Sequence, residues 1–421
     1  MHASIAAVAV ATVCVATAQA QTFDTPSDGP VLTLARALEL ARPGAPGVDA
    51  ADAGLRAAAA AQHVAGLRPN PTVSADIENV GGSRPYNVIE APKQTVNVGL
   101  PLELGGKRPA RVAVAESRRA RAEIDQATAE ADLREAVTDA YVEALAADRR
   151  LATAREQARI AADTVHAAQA RVEAGKASPL ERQRADVLFI SADAAERKAG
   201  RLAILAHANL ARRLGGTATA RLDEAWFDRI DAYGPARAGQ RGDTLALAAA
   251  ATDRRTADAQ LRLARSQRVP DVTLSTGVRR LPATDSVAAV FGVSVPLPLF
   301  NGGSAAVAEA AAERDKADAL RRVARLDADQ SVAQAEADLA NAEALARSAA
   351  GPALDAAKEA ARIARIGYRE GKFGQLDLLD AERALAETRA AAIDALAAFH
   401  TARARLDHLA TAAPTNREDD R

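Results

Sequence analysis

Leu133, Val137, Ala140, Ala144, Ala147, Leu151, Ala154, Ala158, Ala161, Val165, Ala168 and Val172 follow one another in steps of four and three residues. A repeat of about 3.5 residues draws one apolar stripe along a helix and specifies knobs-into-holes packing with a left-handed supercoil. Between Ala110 and Ser178 there is no proline, and Gly175 is the only glycine. At roughly 1.5 Å per residue this stretch forms a rod on the order of 100 Å long. A second series, Ala185, Leu188, Ala192, Ala195, Ala199, Leu202 and Ala206, carries the stripe back. Alanine at most of these positions sets a close helix spacing, which suits a wall of helices as well as a solid bundle. Another long helical pattern starts near Ser304 and is interrupted at Gly351-Pro352. Proline there removes a backbone hydrogen bond and kinks the helix.

Short stretches change to period two. Val73, Ala75 and Ile77 fall on one face, with Ser74, Asp76 and Glu78 on the other. Val96, Val98, Leu100 and Leu102 share a face, as do Val272 with Leu274, and Phe291, Val293, Val295 and Leu297. The expected strands cover 71–80, 94–103, 270–279 and 288–299. One apolar and one polar face suit a half-buried sheet. They equally suit lipid-facing barrel strands of about 10 residues. The stretches GGSRPYNVIEAPKQ (81–94) and RRLPATDS (279–286) read as polar loops.

These patterns occur twice. Pro71 and Val73 match Pro270 and Val272, Pro101 and Leu104 match Pro296 and Leu299, and Gly175, Lys176 and Leu180 match Gly371, Lys372 and Leu376. The offsets are 199, 195 and 196, too consistent for chance. The first repeat is placed at 21–213, with its helical hairpin at about 106–213. The second spans 241–410, with its hairpin at about 304–410. A linker at 214–240 holds Trp226, the only tryptophan, and 411–421 is a polar tail.

Composition narrows the class. The chain has 421 residues, 3% aromatics and a formal net charge of −1, dominated by alanine with Arg, Glu and Asp. This points to a mainly α protein of long helices with a small β part. It gives no basic stripe for nucleic acid, which is therefore not an expected partner. The first 20 residues read as a cleaved secretory signal, with an apolar run from Ile5 to Ala16 and an Ala18-Gln19-Ala20 site. The only cysteine, Cys14, lies inside it. Ala11-Thr12-Val13 makes a poor lipobox, so a lipid anchor is not expected. Past the signal there is no apolar run of about 18 residues to form a transmembrane helix.

Four strands cannot close a membrane barrel, which needs about eight, and open sheet edges are not tolerated in lipid. If these strands span a membrane, identical chains pool them in a closed ring. The helices then hang from the barrel as a second tube. Both tight turns lie together at its far tip, on the order of 100 Å away. A soluble periplasmic coiled-coil adaptor or scaffold is the rival from another class, but it has no need of two amphipathic strand pairs.

NPTVSADIENVGGSRPY (70–86), LPLELGGKRPARVAVAE (100–116), VPLPLFNGG (295–303) and EGKFGQLDLLDAERAL (370–385) resemble the TolC-type outer-membrane efflux family. The first two are most similar to its CzcC-like branch, which serves cobalt–zinc–cadmium exporters. The resemblance covers nearly the whole mature chain. It implies a homotrimer with a 12-stranded outer-membrane β-barrel set in lipid, continued by a periplasmic α-helical coiled-coil barrel. It also implies a periplasmic adaptor (a membrane fusion protein) at the tips and, through it, a proton-driven inner-membrane pump of the RND type. Divalent heavy-metal cations are the implied substrate; drugs or other small solutes are the alternative within the family. Substrate passes without chemistry, so neither an enzyme nor a cofactor is expected.

The resemblance carries Asp377 and Asp380 onto the constriction of the periplasmic entrance, and Tyr368 onto a position that holds the closed tip. A ring of such carboxylates raises local cation concentration. Read as local structure alone, the same acids favour the helix dipole and cap free N–H groups, and Tyr368 is a tyrosine packed on a neighbouring helix. Glu181 and Arg184 hold the matching positions in the first half. Gly175 and Gly371 are expected to end helices in left-handed conformation. Lys176, Ser178, Lys372 and Gln375 stand beside them as candidate adaptor contacts. The six histidines, His2, His63, His166, His207, His400 and His408, show no metal-ligand spacing. GGKR at 105–108 lacks the other residues of a phosphate loop and reads as a strand-to-helix turn.

Overall fold

The structure is a computed structural model that describes residues 31–80, 92–216, 220–230 and 244–414. The expected signal, the end of the tail and the loop at 81–91 lie outside the described residues.

Helices α1 (Leu34–Ala41) and α2 (Pro46–Ala65) lead into strands β1 (Thr72–Glu78) and β2 (Lys93–Leu102), then α3 (Lys107–Glu173) and α4 (Pro179–Arg213). After a short α5 (Glu224–Phe227) the order recurs: α6 (Leu245–Ser266), β3 (Val272–Leu281), β4 (Ser286–Ser294) and α7 (Ser304–Ser348). A wide π-type turn at Ala349–Ala353 leads into α8 (Leu354–Arg369), and α9 (Gln375–Leu409) closes the chain. Helix α3 is unbroken for 67 residues, which gives a rod of roughly 100 Å. Every position of its predicted stripe from Leu133 to Val172 is buried or half-buried.

The four strands form one antiparallel sheet in the order β1-β2-β3-β4, so β1 and β4 are open edges. The register stacks like on like. Val73 faces Val98, Ala75 faces Val96, Val96 faces Val278, Leu100 faces Leu274 and Leu274 faces Val293. All lie on one apolar face, and that face is bare: Val73 is 74% exposed, Phe291 81% and Val293 70%. The opposite face carries Asp76, Glu78, Thr95, Asn97, Ser275 and Arg279, with Thr95 only 2% exposed. In β2 to β4 the apolar face is thus the more open of the two, the reverse of a sheet in a soluble protein.

The strand limits differ from the sequence reading by one or two residues, and by five at the end of β4. Strand β4 stops at Ser294 instead of running to 299. Pro296 and Pro298 lack the N–H groups that a continued ladder would use. Strand β3 extends through Arg280 and Leu281, read above as loop. The connection shrinks to Pro282–Asp285, with Asp285 at φ 43° making the reversal. The stripe on α4 also shifts. Leu188 and Leu202 are exposed, while Ala185, Ala203, Ala206 and Leu210 face α3. A straight helix drifts against a heptad count, and Ala203 takes the place assigned to Leu202.

The core sits midway along the helices. Val137, Tyr141 and Leu145 of α3 meet Leu210 of α4, Phe227 of α5, Leu339 of α7 and Phe399 of α9. Tyr141 is fully buried. Its hydroxyl donates to the Leu32 carbonyl at 2.7 Å and accepts from the Asp223 N–H at 3.0 Å. Burial pushes its pKa up to about 12. Where sheet meets helices, Asp271 accepts from the Leu104 N–H at 3.1 Å and from Lys107 Nζ at 2.6 Å. One carboxylate thereby ties the first strand-to-helix junction to the start of β3.

Candidate functional site at the paired tips

Each hairpin turns in the same way. In the first, the Lys176 N–H donates to the Arg171 carbonyl at 2.8 Å; in the second, the Lys372 N–H donates to the Gly367 carbonyl at 2.8 Å. Gly175 at φ 66° and Gly371 at φ 73° occupy the left-handed position that such a helix end requires. Below them the caps differ. The Ser178 side chain accepts from the Leu180 N–H at 3.3 Å to start α4. The corresponding residue of the second turn is Gly374, which has no side chain. There Asp377 Oδ2 accepts from the Gly374 N–H at 2.9 Å.

This geometry separates the two aspartates. Asp377 is engaged in holding its own turn. Asp380 lies three residues on, on the same side of α9, exposed and with no ion pair or hydrogen bond to another described residue. Lys176, Ser178 and Lys372 are exposed, and Lys372 pairs with Glu370 at 2.6 Å. Gln375 is half-buried, and its Nε2 has no partner among the described residues.

The two tips touch. The Arg171 guanidinium at the end of α3 lies 5.3 Å from the centre of the Tyr368 ring at the end of α8. Arg171 Nε is also 3.6 Å from Glu181 Oε1 across its own turn. The buried Tyr368 hydroxyl has no hydrogen-bond partner among the described residues. Tyr368 is therefore packed on a neighbouring helix, and the atom it meets is cationic. One turn of helix above, Arg365 pairs with Glu382 through two guanidinium nitrogens. Glu382 is 4% exposed, and its carboxylate holds the Arg365 pKa above its usual value. Glu156 of α3 is held below the usual carboxylate range by Arg159 first, with Arg389 and Arg365 adding to the effect.

Arg171 and the Arg365–Glu382 pair were not singled out from the sequence. A signal for them exists. Arg171 and Glu181 stand five residues either side of Lys176, and Arg365 and Glu382 lie 17 apart around the second turn. Residues flanking a helical turn at similar distances can face each other across the hairpin, so opposite charges on its two sides are ion-pair candidates. Among the described residues no group of three or more His, Cys, Asp or Glu is arranged to hold a metal ion, and no helix is long and apolar enough to cross a membrane.

A four-stranded sheet bare on its apolar side, carried on helices of roughly 100 Å that end in paired tips, is the architecture of an outer-membrane channel protein. The chain belongs to the outer membrane efflux protein family, whose match covers residues 37–216 and 241–411. It is 31% identical over 407 residues to the cobalt-zinc-cadmium resistance protein CzcC of Cupriavidus metallidurans, covering 93% of each chain. It is 34% identical over 294 residues to the nickel and cobalt resistance protein CnrC of the same organism, covering 69% of this chain and 70% of that one. Among solved structures, the fold is similar to the channel CusC, with a TM-score of 0.75 at 16% identity over 90% of this chain and 92% of that one. It is also similar to the Vibrio cholerae outer membrane protein VceC, with a TM-score of 0.74 at 22% identity over 90% and 96%.

Proposed function

We propose that three copies of this chain close into a tube that conducts divalent heavy-metal cations out of the cell without chemical change. The observation that carries this reading is the bare apolar face of the sheet together with its two open edges. An open edge in lipid leaves backbone groups unpaired at several kcal/mol each. Pairing β4 of one copy with β1 of the next removes every edge, and three copies of four strands give twelve.

The helices argue in the same direction. In the tip half α4 packs on α3, α3 on α9 and α9 on α8, leaving α4 and α8 at the ends of the row. Leu180, Val187, Ile190 and Leu205 are exposed on the side of α4 that faces away from its buried stripe. A second copy covers that stripe as the ring closes. The cargo follows from the resistance proteins named above and from Asp380, whose carboxylates would line the narrowest part of the ring. The exposed tips, at Lys176, Ser178 and Lys372, are offered to a periplasmic adaptor, which links the tube to an inner-membrane pump.

The test is single-channel recording of the detergent-extracted protein in a planar bilayer, in Zn²⁺ or Co²⁺ salts against a chloride-matched K⁺ salt. The expected result is a cation-preferring pore whose preference falls at least twofold in Asp380→Asn. A Phe291→Arg variant, which puts charge on the lipid face, should fail to reach the membrane fraction. Wild-type protein that stays soluble and makes no pore would overturn the channel and leave a periplasmic scaffold.

A further inference from the structure

Among the described residues of the segment joining the two halves, α5 is where it meets the last helix. Trp226 and Phe227 of α5 pack on His400 of α9. The Trp226 and His400 rings are stacked, 4.2 Å apart and 26° from parallel. Phe227 stands 5.6 Å from the imidazole and Phe399 stands edge-on at 5.2 Å. His400 Nε2 lies 2.9 Å from the Phe227 carbonyl, so Nε2 carries the hydrogen and donates it. His400 is 2% exposed. The same segment is tied to the start of the described chain by the Leu32–Leu222 bridge and by the Tyr141 hydroxyl. Loosening His400 would free the α5 end of this segment from α9.

We infer that His400 and Trp226 form an acid-labile latch that clamps the inter-repeat segment to the last helix at neutral pH and releases it in acid. The shell around the imidazole is aromatic. Among the described residues, the acidic groups nearest it are each engaged by an arginine or a histidine. From α5, Asp228 is taken up by Arg149 of α3 at 2.8 and 2.9 Å, and Asp223 by Arg229 at 3.4 Å. Arg149 itself lies 5.5 Å from the Phe227 ring, adding positive potential on that side. A cavity of about 300 Å³ beside the ring gives a route for water. Its walls carry Arg134 and Glu135 from α3 and Arg403, Asp407 and His408 from α9. There Arg403 pairs with Asp407 at 3.2 Å, Arg405 with Glu135 at 3.3 Å, and His408 with Asp132 at 2.7 Å.

Burial lowers the His400 pKa from its ordinary 6.5, opposed by the Phe227 carbonyl and Asp228. The sign follows. The neutral ring is the docked form, and an undocked ring takes up a proton first. The latch is at full strength above about pH 6.5 and weakens as the pH falls below it.

Trp226 is the only tryptophan, so the intact protein reports on its own latch. Trp fluorescence of the full-length protein in detergent is followed from pH 8 to pH 4.5. The expected result is a reversible red shift with its midpoint below 6.5. His400→Gln keeps a hydrogen-bond donor for the Phe227 carbonyl but does not titrate, and His400→Phe keeps the stack. Both should give flat profiles, while His408→Gln should keep the wild-type transition. Amide exchange over residues 220–230 should accelerate in acid in the wild type alone. A flat wild-type profile, or the same transition in both His400 variants, would overturn the latch.

Discussion

The two hairpins share a turn and differ above it. The first is a single rod, with α3 unbroken from Lys107 to Glu173. The second is jointed: at Gly351 the backbone leaves the helical region (φ −104°, ψ −109°), next to Pro352. The tip of the first is thinly held, by Ser178 and by an Arg171–Glu181 contact at 3.6 Å. The tip of the second is braced by the Arg365–Glu382 pair, by Asp377 and by the Phe373 ring lying over Gly367. The positions matching Arg365 and Glu382 in the first hairpin are Gln169 and Asp186. A straight rod needs no brace near its end, because long-range stiffness holds its tip. A jointed arm loses that stiffness at the joint and replaces it locally. The break and the brace belong to one design.

Removing the brace should have the largest effect. Arg365→Ala leaves Glu382 buried without its partner. A stranded buried charge costs about 3–5 kcal/mol, and the low end applies because the Arg365 side chain is 41% exposed. Gln169→Ala in the first hairpin should cost less than about 0.5 kcal/mol. Amide exchange over 354–409 against 107–213 reads the difference. The double variant Arg365→Leu, Glu382→Leu should recover most of the loss, since an apolar pair of similar volume replaces the ions. Equal exchange in both hairpins of Arg365→Ala would show that the brace holds nothing.

A smaller effect is expected at Gly367. A Cβ there would overlap the Phe373 ring. Gly367→Ala should destabilise the second tip by about 1–3 kcal/mol, the usual cost of overpacking. Phe373→Ala made in addition should restore it, because the clash needs both side chains. At the matching place the first hairpin carries Arg171, pointing across to the other tip, so the repeat has put two different solutions at one position. If Gly367→Ala is neutral on thermal melting, Phe373 is not seated as a brace.

Much of this was legible in the residues, for reasons that differ by element. The stripe of α3 is local and periodic, so counting alone finds it. The strand faces are legible because alternation fixes the face whatever the partner. The end of β4 was missed because Val295 and Leu297 continue the alternation while Pro296 and Pro298 end the ladder. Period reads side chains, and the ladder depends on N–H groups. At the tips, Asp377 and Asp380 look alike in sequence, and it is the place of Asp377 three residues after Gly374 that puts its carboxylate on the Gly374 N–H. The seat of Trp226 could not be read, since His400 lies 174 residues further along and no local pattern joins them.

The finest test concerns the contact between the hairpins. Arg171 reaches from the stiff arm to Tyr368 on the jointed one. A partly exposed cation–π contact is worth about 0.5–1 kcal/mol, so Arg171→Ala should hardly move the melting temperature. Its consequence lies in conduction. If the jointed arm moves while the rod stays, this contact holds the moving tip to the fixed one. Losing about 1 kcal/mol from each such contact shifts a closed–open equilibrium by roughly fivefold per contact. Single-channel records of Arg171→Ala should therefore show longer or more frequent openings, with Arg171→Lys intermediate, because the ammonium keeps the charge and loses the planar stack. Tyr368→Phe should leave the records unchanged, since the ring makes the contact and the hydroxyl has no partner among the described residues. An Arg171→Ala pore with unaltered gating would mean that the tips touch without being coupled.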